Sequence, residues 1–166
     1  LAGDAERAAA LRTRGAALGY LGDFTGAVAD QGAALTLYRR TGDLAYQALL
    51  LGNLSANYRT LGDTEKALAT AHQALAAAER AGDARRAVFA QQSIAAIRLQ
   101  RGELGPALSA YRLTLDALDA TPYPRVEGMA WNDLGLLYRQ TGDRAAARDA
   151  LDRAAAVWHA SGDTSG

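Results

Sequence analysis

The stretch from Ala48 to Asp83 reads ALLLGNLSANYRTLGDTEKALATAHQALAAAERAGD, and it predicts two helices that each end at a Gly-Asp corner. In its first half, Leu51, Leu54 and Tyr58 recur at steps of three and four residues, the spacing of one face of an α-helix. In its second half, alanines recur at the same steps and allow a close approach between helices. The corner glycine can end one helix in the left-handed conformation, and the aspartate after it can cap the next helix.

The same pattern returns along the chain with a period of 40 residues. The corner glycines form two series, which interleave at 20 residues: Gly22, Gly62, Gly102 and Gly142, and Gly42, Gly82 and Gly162. One helix and a tight corner fit into 20 residues, so the spacing predicts eight helices, at about residues 5–21, 24–40, 44–61, 64–80, 84–101, 104–119, 124–141 and 144–160. Two corners depart from the pattern: Glu103 replaces aspartate in one, and residues 121–124 (TPYP) replace the other without changing the phase.

The composition excludes several classes of function. The 166 residues include 18 basic and 18 acidic side chains and no cysteine. Because nucleic acids and anionic membranes attract a basic excess, we expect neither as a direct partner. Disulfides and thiolate metal sites are excluded, and no apolar run is long enough to span a membrane. We expect a cytoplasmic protein. Because arginine and alanine are abundant, we expect a bacterial source with G+C-rich DNA. Because the sequence begins with Leu1, we expect it to be a segment of a longer chain.

The fourth repeat carries a resemblance to a known family. Trp131, Leu134, Gly135, Tyr138, Gly142 and Ala147 follow the spacing W-x-x-L-G-x-x-Y-x-x-x-G-x-x-x-x-A, which resembles the tetratricopeptide repeat signature. The 40-residue period is similar to that of Pins-type adaptors, kinesin light chains and many bacterial regulators. The resemblance implies an all-α, right-handed solenoid of four helix-turn-helix repeats. We expect a single domain over residues 1–166, with repeats at about 5–43, 44–83, 84–123 and 124–163.

In this family the first helix of each pair lines a concave groove that holds a peptide of a partner. Transferred to this sequence, the resemblance places ten candidate side chains in the groove: Arg12, Asn53, Arg59, Phe89, Gln92, Met129, Asn132, Asp133, Arg139 and Gln140. Asn53 is the strongest candidate, because an amide both donates and accepts hydrogen bonds. Arg59 and Arg139 have a second interpretation, since a cation in the last turn of a helix is stabilised by the helix dipole whatever binds.

One binding mode known from related repeats, a clamp for a chain-terminal carboxylate, does not fit. It needs basic or amide side chains at five places that fall here on Arg12, Ala16, Asn53, Phe89 and Ser93. Only two of these residues have suitable side chains.

Catalytic and metal sites are not indicated either. His72 and His159 are the only imidazoles, and no nucleophile and carboxylate are placed to form a triad with them. The paired carboxylates Asp116/Asp119 and Asp149/Asp152 supply fewer oxygen ligands than a hard cation requires. We therefore expect no catalytic residue, no cofactor and no bound metal.

The sequence favours a non-catalytic scaffold that binds a protein or peptide. A first alternative is a sensory or regulatory segment of a larger bacterial transcription regulator or signalling ATPase. A second is a structural module for self-association, because the last helix keeps apolar residues such as Leu151 and Trp158 and no capping helix follows. That uncapped end predicts a possible homo-oligomer.

Overall fold

The computed structural model describes residues 2–162, which form eight α-helices and no strand. The helices are α1 (Ala2–Tyr20), α2 (Phe24–Thr41), α3 (Leu44–Thr60), α4 (Thr64–Arg80), α5 (Ala84–Gln100), α6 (Leu104–Ala120), α7 (Pro124–Thr141) and α8 (Arg144–Ser161). Their number and order confirm the predicted all-α repeat pattern. The boundaries differ from the predicted ones by at most three residues.

The corner between α3 and α4 shows how one dipeptide separates two helices. Gly62 has a φ of 82°, and the other six corner glycines also have positive φ, between 67° and 86°. The Gly62 N–H donates to Arg59 O at 3.1 Å and the Asp63 N–H to Tyr58 O at 2.9 Å, which satisfies the last carbonyls of α3. The Asp63 carboxylate then accepts from the Lys66 N–H at 3.1 Å and caps α4.

The two atypical corners lack this cap. Neither Glu103 before α6 nor Tyr123 before α7 makes a side-chain capping hydrogen bond. Glu103 instead accepts from Arg101 Nε at 2.6 Å, and Pro124 supplies the first turn of α7. Glu103 is therefore a weaker corner, as predicted. At the last corner Gly162 has a φ of 73°, while Asp163 lies outside the described residues.

A small residue of the first helix of a pair lies against the backbone of the second helix. A Cβ added to Gly15 would lie 3.3 Å from Ala27 O, and one added to Gly135 would lie 3.4 Å from Ala147 O. Ser55 stands at the same place in the second repeat, where its Oγ donates to Ala67 O at 2.9 Å. Ala95 fills this place in the third repeat and is fully buried, so the place takes only small side chains.

The chain divides into two compact units, Leu1–Ser93 and Ile94–Gly166, with the division inside α5. In the first unit, α2 packs between α1 and α3, α4 packs on α3, and α1 also touches α3. In the second unit, α7 packs against α6 and α8. Each unit has a core of its own, built around Leu50 in the first and Tyr111 in the second. The single domain expected over residues 1–166 stays a prediction.

Candidate functional site

Arg12 lies on α1 in contact with an aromatic residue of α3. Its guanidinium carbon is 5.3 Å from the centroid of the Tyr46 ring, within the range of a cation–π interaction. Tyr46 in turn stacks on Tyr38, with ring centroids 4.6 Å apart. The predicted groove residue Arg12 is half-buried and its guanidinium lies over an aromatic ring, which limits the positions that its charge can occupy.

Asn53 lies on the same helix as Tyr46, two turns further along. It is half-buried, and within residues 2–162 its side-chain amide has no hydrogen-bond partner. Its neighbour Gly52 faces open space, because a Cβ added there would meet no atom within 4 Å. We give the name α1–α3 face to six residues of these two helices, which meet at the contact between Arg12 and Tyr46: Arg12, Ala16, Tyr46, Leu49, Gly52 and Asn53.

Arg59 and Arg139 occupy the last turns of α3 and α7, and both are exposed. In that position the helix dipole stabilises a cation by about 0.3–1 kcal/mol without any ligand. Among the described residues, neither guanidinium has a hydrogen-bond acceptor. Their role in ligand binding stays a prediction.

The groove candidates on α5 differ in accessibility. Phe89 is half-buried, whereas Gln92 is only 3% exposed. A side chain that is so deeply buried cannot reach a ligand without a rearrangement of the helix. We therefore do not include Gln92 in the site proposed below.

In the second unit, the candidates on α7 form no shared cluster. Asn132 and Gln140 are exposed, and Met129 is half-buried. Asp133 is half-buried and accepts a hydrogen bond from Tyr111 Oη at 2.9 Å. Since Tyr111 is fully buried, this bond ties Asp133 to the interior of the second unit.

Sequence reasoning missed three polar side chains that the fold buries in the first unit, Asp30, Gln31 and Asn57. Asn57 Nδ2 donates to Gln31 Oε1 at 2.9 Å, and both residues are buried. Asp30 accepts two hydrogen bonds from Arg14, at 2.5 and 2.6 Å, and the hydrogen bond from Arg14 is the main reason that the pKa of Asp30 is lowered. The signal in the sequence that could have revealed these residues is the presence of polar side chains within otherwise apolar helical faces.

Sequence reasoning also missed Tyr46, which supports Arg12. Its position three residues before Leu49 and seven before Asn53 places all three on one side of α3. That spacing was visible in the sequence. The contact with Arg12 depends on how α1 and α3 pack, and no periodicity within one helix reveals it.

The apolar residues of α8 that prompted the expectation of self-association pack largely on α7. A Cβ added to Gly128 would lie 2.6 Å from the Trp158 ring, and one added to Gly135 would lie 2.7 Å from Leu151. Ala147 and Ala154 are buried, while Leu151 stays 36% exposed. The homo-oligomer stays a prediction.

Metal and membrane chemistry find no support in the part of the chain from Ala2 to Gly162. No three His, Cys, Asp or Glu side chains come together there in a way that would hold a metal ion. None of the helices over those residues combines the length and apolar character that crossing a membrane requires.

Two family models, both described as tetratricopeptide repeat, match residues 6–80 and 129–160. Together they cover more than half of the chain. The chain belongs to the tetratricopeptide repeat family, and the resemblance seen in the fourth repeat is confirmed. No match is found among the curated proteins.

Solved structures share the fold over nearly the whole chain. BtubC (BKLC) from P. vanneervenii has a TM-score of 0.81 at 17% identity, over 96% of this chain and 66% of that one. Aspartyl phosphate phosphatase F from Bacillus subtilis has a TM-score of 0.88 at 12% identity, over 96% of this chain and 42% of that one. A Rap protein complexed with Competence and Sporulation Factor has a TM-score of 0.78 at 20% identity, over 90% of this chain and 42% of that one.

These identities are too low to transfer an activity, and they show the fold alone. The chain spans about two thirds of BtubC and less than half of the other two proteins. The fold therefore corresponds to only part of each of those proteins.

Proposed function

We propose that this chain is a non-catalytic module that holds an extended segment of a partner protein on the α1–α3 face. The observation that carries the proposal is Asn53, a half-buried amide with no hydrogen-bond partner within residues 2–162. An extended peptide presents backbone N–H and C=O groups, and an asparagine side chain can satisfy one of each. Gly52 leaves room for that backbone to approach α3.

The composition of the α1–α3 face supports the same conclusion. Arginine and tyrosine are enriched among the residues that dominate protein–protein binding energies, and here Arg12 and Tyr46 are already in contact. A side chain held in place before binding loses less conformational entropy when a ligand arrives. The face is therefore prepared for a ligand without a rearrangement.

The Rap structure supports a second candidate, the sensory or regulatory segment. That protein has the same fold and is complexed with Competence and Sporulation Factor. In a regulator, occupation of the α1–α3 face would be communicated to a neighbouring domain of a longer chain. A helix-turn-helix or nucleotide-binding motif in flanking sequence would favour this use, in a cytoplasmic bacterial protein.

Selection from a displayed library of random peptides tests the proposed function. Peptides of about 12 residues reach about 40 Å when extended, enough to cross several helices. The enriched peptides are then measured against the Gly52→Tyr variant, in which a ring occupies the open space on α3. We expect the affinity to fall by at least about ten-fold, or about 1.4 kcal/mol.

Gly32→Tyr is the matched control. Gly32 lies on α2 in the same unit, and a Cβ added there also meets no atom within 4 Å. Both variants should keep the helical circular dichroism of the original chain. Equal loss of binding in both variants, or unchanged binding in Gly52→Tyr, would contradict a site on the α1–α3 face.

A further inference from the structure

Arg12 is a half-buried cation without an anion. Its Nε is buried and has no hydrogen-bond partner, and no carboxylate within residues 2–162 forms an ion pair with it. The Tyr46 ring contacts the guanidinium but offers no acceptor for its N–H groups. A guanidinium has five donors, so Arg12 retains a large unused capacity for hydrogen bonding.

Two acids of the first unit, Asp30 and Asp4, are engaged by other arginines. Arg14, two residues further along α1, holds Asp30 with two hydrogen bonds, at 2.5 and 2.6 Å. Asp4 is paired with Arg40 of α2 at 3.0 Å. Arg14 and Arg12 lie on one helix, and residues 2–162 supply a carboxylate to Arg14 and none to Arg12.

The charges of the first two repeats also favour a negatively charged ligand. Twelve places of α1 and α3 correspond to the groove of this family: Ala9, Arg12, Thr13, Ala16, Gly19, Tyr20, Leu49, Gly52, Asn53, Ala56, Arg59 and Thr60. Two of these residues are arginines and none is acidic. A ligand with negative charge is complementary to this set, and a basic ligand would be repelled.

The geometry points to a partner segment that presents an acidic side chain, whose carboxylate accepts hydrogen bonds from Arg12 while Tyr46 holds the guanidinium in place. This inference rests on the proposed function, because it names the chemistry of the segment bound on the α1–α3 face. Arginine and carboxylate match as a bidentate pair, and such charge-assisted hydrogen bonds are stronger than neutral ones. Asn53 then serves the peptide backbone and Arg12 the acidic side chain.

The carboxylate is assigned to an internal Asp or Glu rather than to a chain terminus. A clamp for a terminal carboxylate uses several cationic or amide side chains together. Of the five places that such a clamp would use, Ala16, Phe89 and Ser93 carry no charge or amide. A single arginine on an aromatic support is sufficient for one side chain.

The experiment selects random peptides that are fused to a carrier through their C-termini, so no peptide has a terminal carboxylate. Wild type is compared with Arg12→Gln and with Arg80→Gln, which removes the same charge from an exposed position in the last turn of α4. We expect a recurring Asp or Glu among the peptides enriched by wild type and by Arg80→Gln. Arg12→Gln should show no such preference.

A double-mutant cycle with one enriched peptide then tests the pairing. Replacing its recurring acid by the matching amide should weaken binding to wild type about ten-fold and leave binding to Arg12→Gln unchanged. Synthetic forms with a free or an amidated C-terminus should bind equally. A ten-fold preference for the free terminus would assign the carboxylate to a chain end and overturn the inference.

The remaining outcomes separate this inference from the proposed function. If wild type enriches peptides that Gly52→Tyr does not bind, but these peptides lack a recurring acid or bind Arg12→Gln equally well, the acidic partner is wrong and the peptide-binding role stands. If wild type enriches no peptide, both are wrong. The melting temperature of the Arg12→Met variant provides a check on folding. If Arg12 has only a structural role, its replacement lowers the melting temperature.

Discussion

Asn53 and Asp133 occupy the same place in the second and fourth repeats, but their surroundings differ. In the second unit, Tyr111 donates a hydrogen bond to Asp133 at 2.9 Å. The residue at the place of Tyr111 in the first unit is Gln31, and it accepts from Asn57 instead, also at 2.9 Å. One repeat position is therefore tied to the interior in one unit, whereas in the other it has no hydrogen-bond partner within residues 2–162.

The difference arises one turn beyond Asn53. Asn57 lies there in the first unit, whereas Leu137 fills the equivalent place in the second unit and is 2% exposed. Gly19 on α1 lies beside this amide, since a Cβ there would be in ordinary contact with Asn57 Oδ1, at 3.6 Å. The buried side chain, Gln31 on α2 or Tyr111 on α6, therefore determines whether the residue on the following helix is hydrogen-bonded within its own unit or is available to a ligand.

Removal of Gln31 is expected to have the largest effect on stability. In Gln31→Leu the buried amide of Asn57 loses its partner, which costs about 1–3 kcal/mol. In the double variant Gln31→Leu/Asn57→Leu both polar groups are gone, and we expect most of that loss to be recovered. Urea unfolding followed by circular dichroism measures both variants.

Gln73→Leu is the control for the change of side chain. Gln73 is exposed and accepts a hydrogen bond from Arg39 at 3.0 Å, so its loss should change the stability by less than about 0.5 kcal/mol. If the double variant loses as much stability as Gln31→Leu and the single variant Asn57→Leu together, the bond between Gln31 and Asn57 does not explain the difference between the units.

The sequence predicted the fold well because its signals are local. Every corner except the one at residues 121–124 has a glycine with positive φ, and the helix faces follow the apolar spacing, so neither signal requires knowledge of the rest of the chain. Even the weak corner at Glu103 was visible, since glutamate replaces the capping aspartate. Helix ends in this chain are determined by two or three adjacent residues.

The candidate site was less predictable because it depends on contacts between helices. The resemblance placed Asn53 and Asp133 in the same class, although a tyrosine from another helix engages only Asp133. Arg12 was named for its position, but its support by Tyr46 was not foreseen. Gln92 was named in the same way and is buried. A position in a repeat defines where a residue lies on its helix, and the packed partner determines what it can bind.

Tyr111→Phe tests the second unit and should have a smaller effect than Gln31→Leu. The hydroxyl that bonds Asp133 is lost, but Asp133 is half-buried and water can replace the bond. We expect a loss of about 0.5–1.5 kcal/mol. Both tryptophans, Trp131 and Trp158, lie in this unit, so urea unfolding followed by tryptophan fluorescence reports on it.

Tyr138→Phe provides the comparison for that measurement. Tyr138 lies on α7 and is half-buried, and its hydroxyl has no recorded hydrogen bond within residues 2–162. Its replacement should change the stability by less than about 0.5 kcal/mol. A larger effect at Tyr138 than at Tyr111 would show that Asp133 is not held by the Tyr111 hydroxyl.

The smallest expected effect distinguishes the two arginines of α1 by its dependence on pH. The hydrogen bond from Arg14 lowers the pKa of Asp30 below its ordinary value of 3.8. A carboxylate with a lowered pKa stabilises the folded state above pH 3.8, and this contribution is lost as the pH falls through the folded-state pKa. Arg14→Met should therefore be less stable than wild type at pH 7, and the difference should shrink as the pH falls below 3.8. Arg12→Met should show no such pH-dependent difference, because Arg12 has no carboxylate partner within the described chain. Urea titrations at several pH values measure the stability of both variants. The same dependence on pH in both would contradict this prediction.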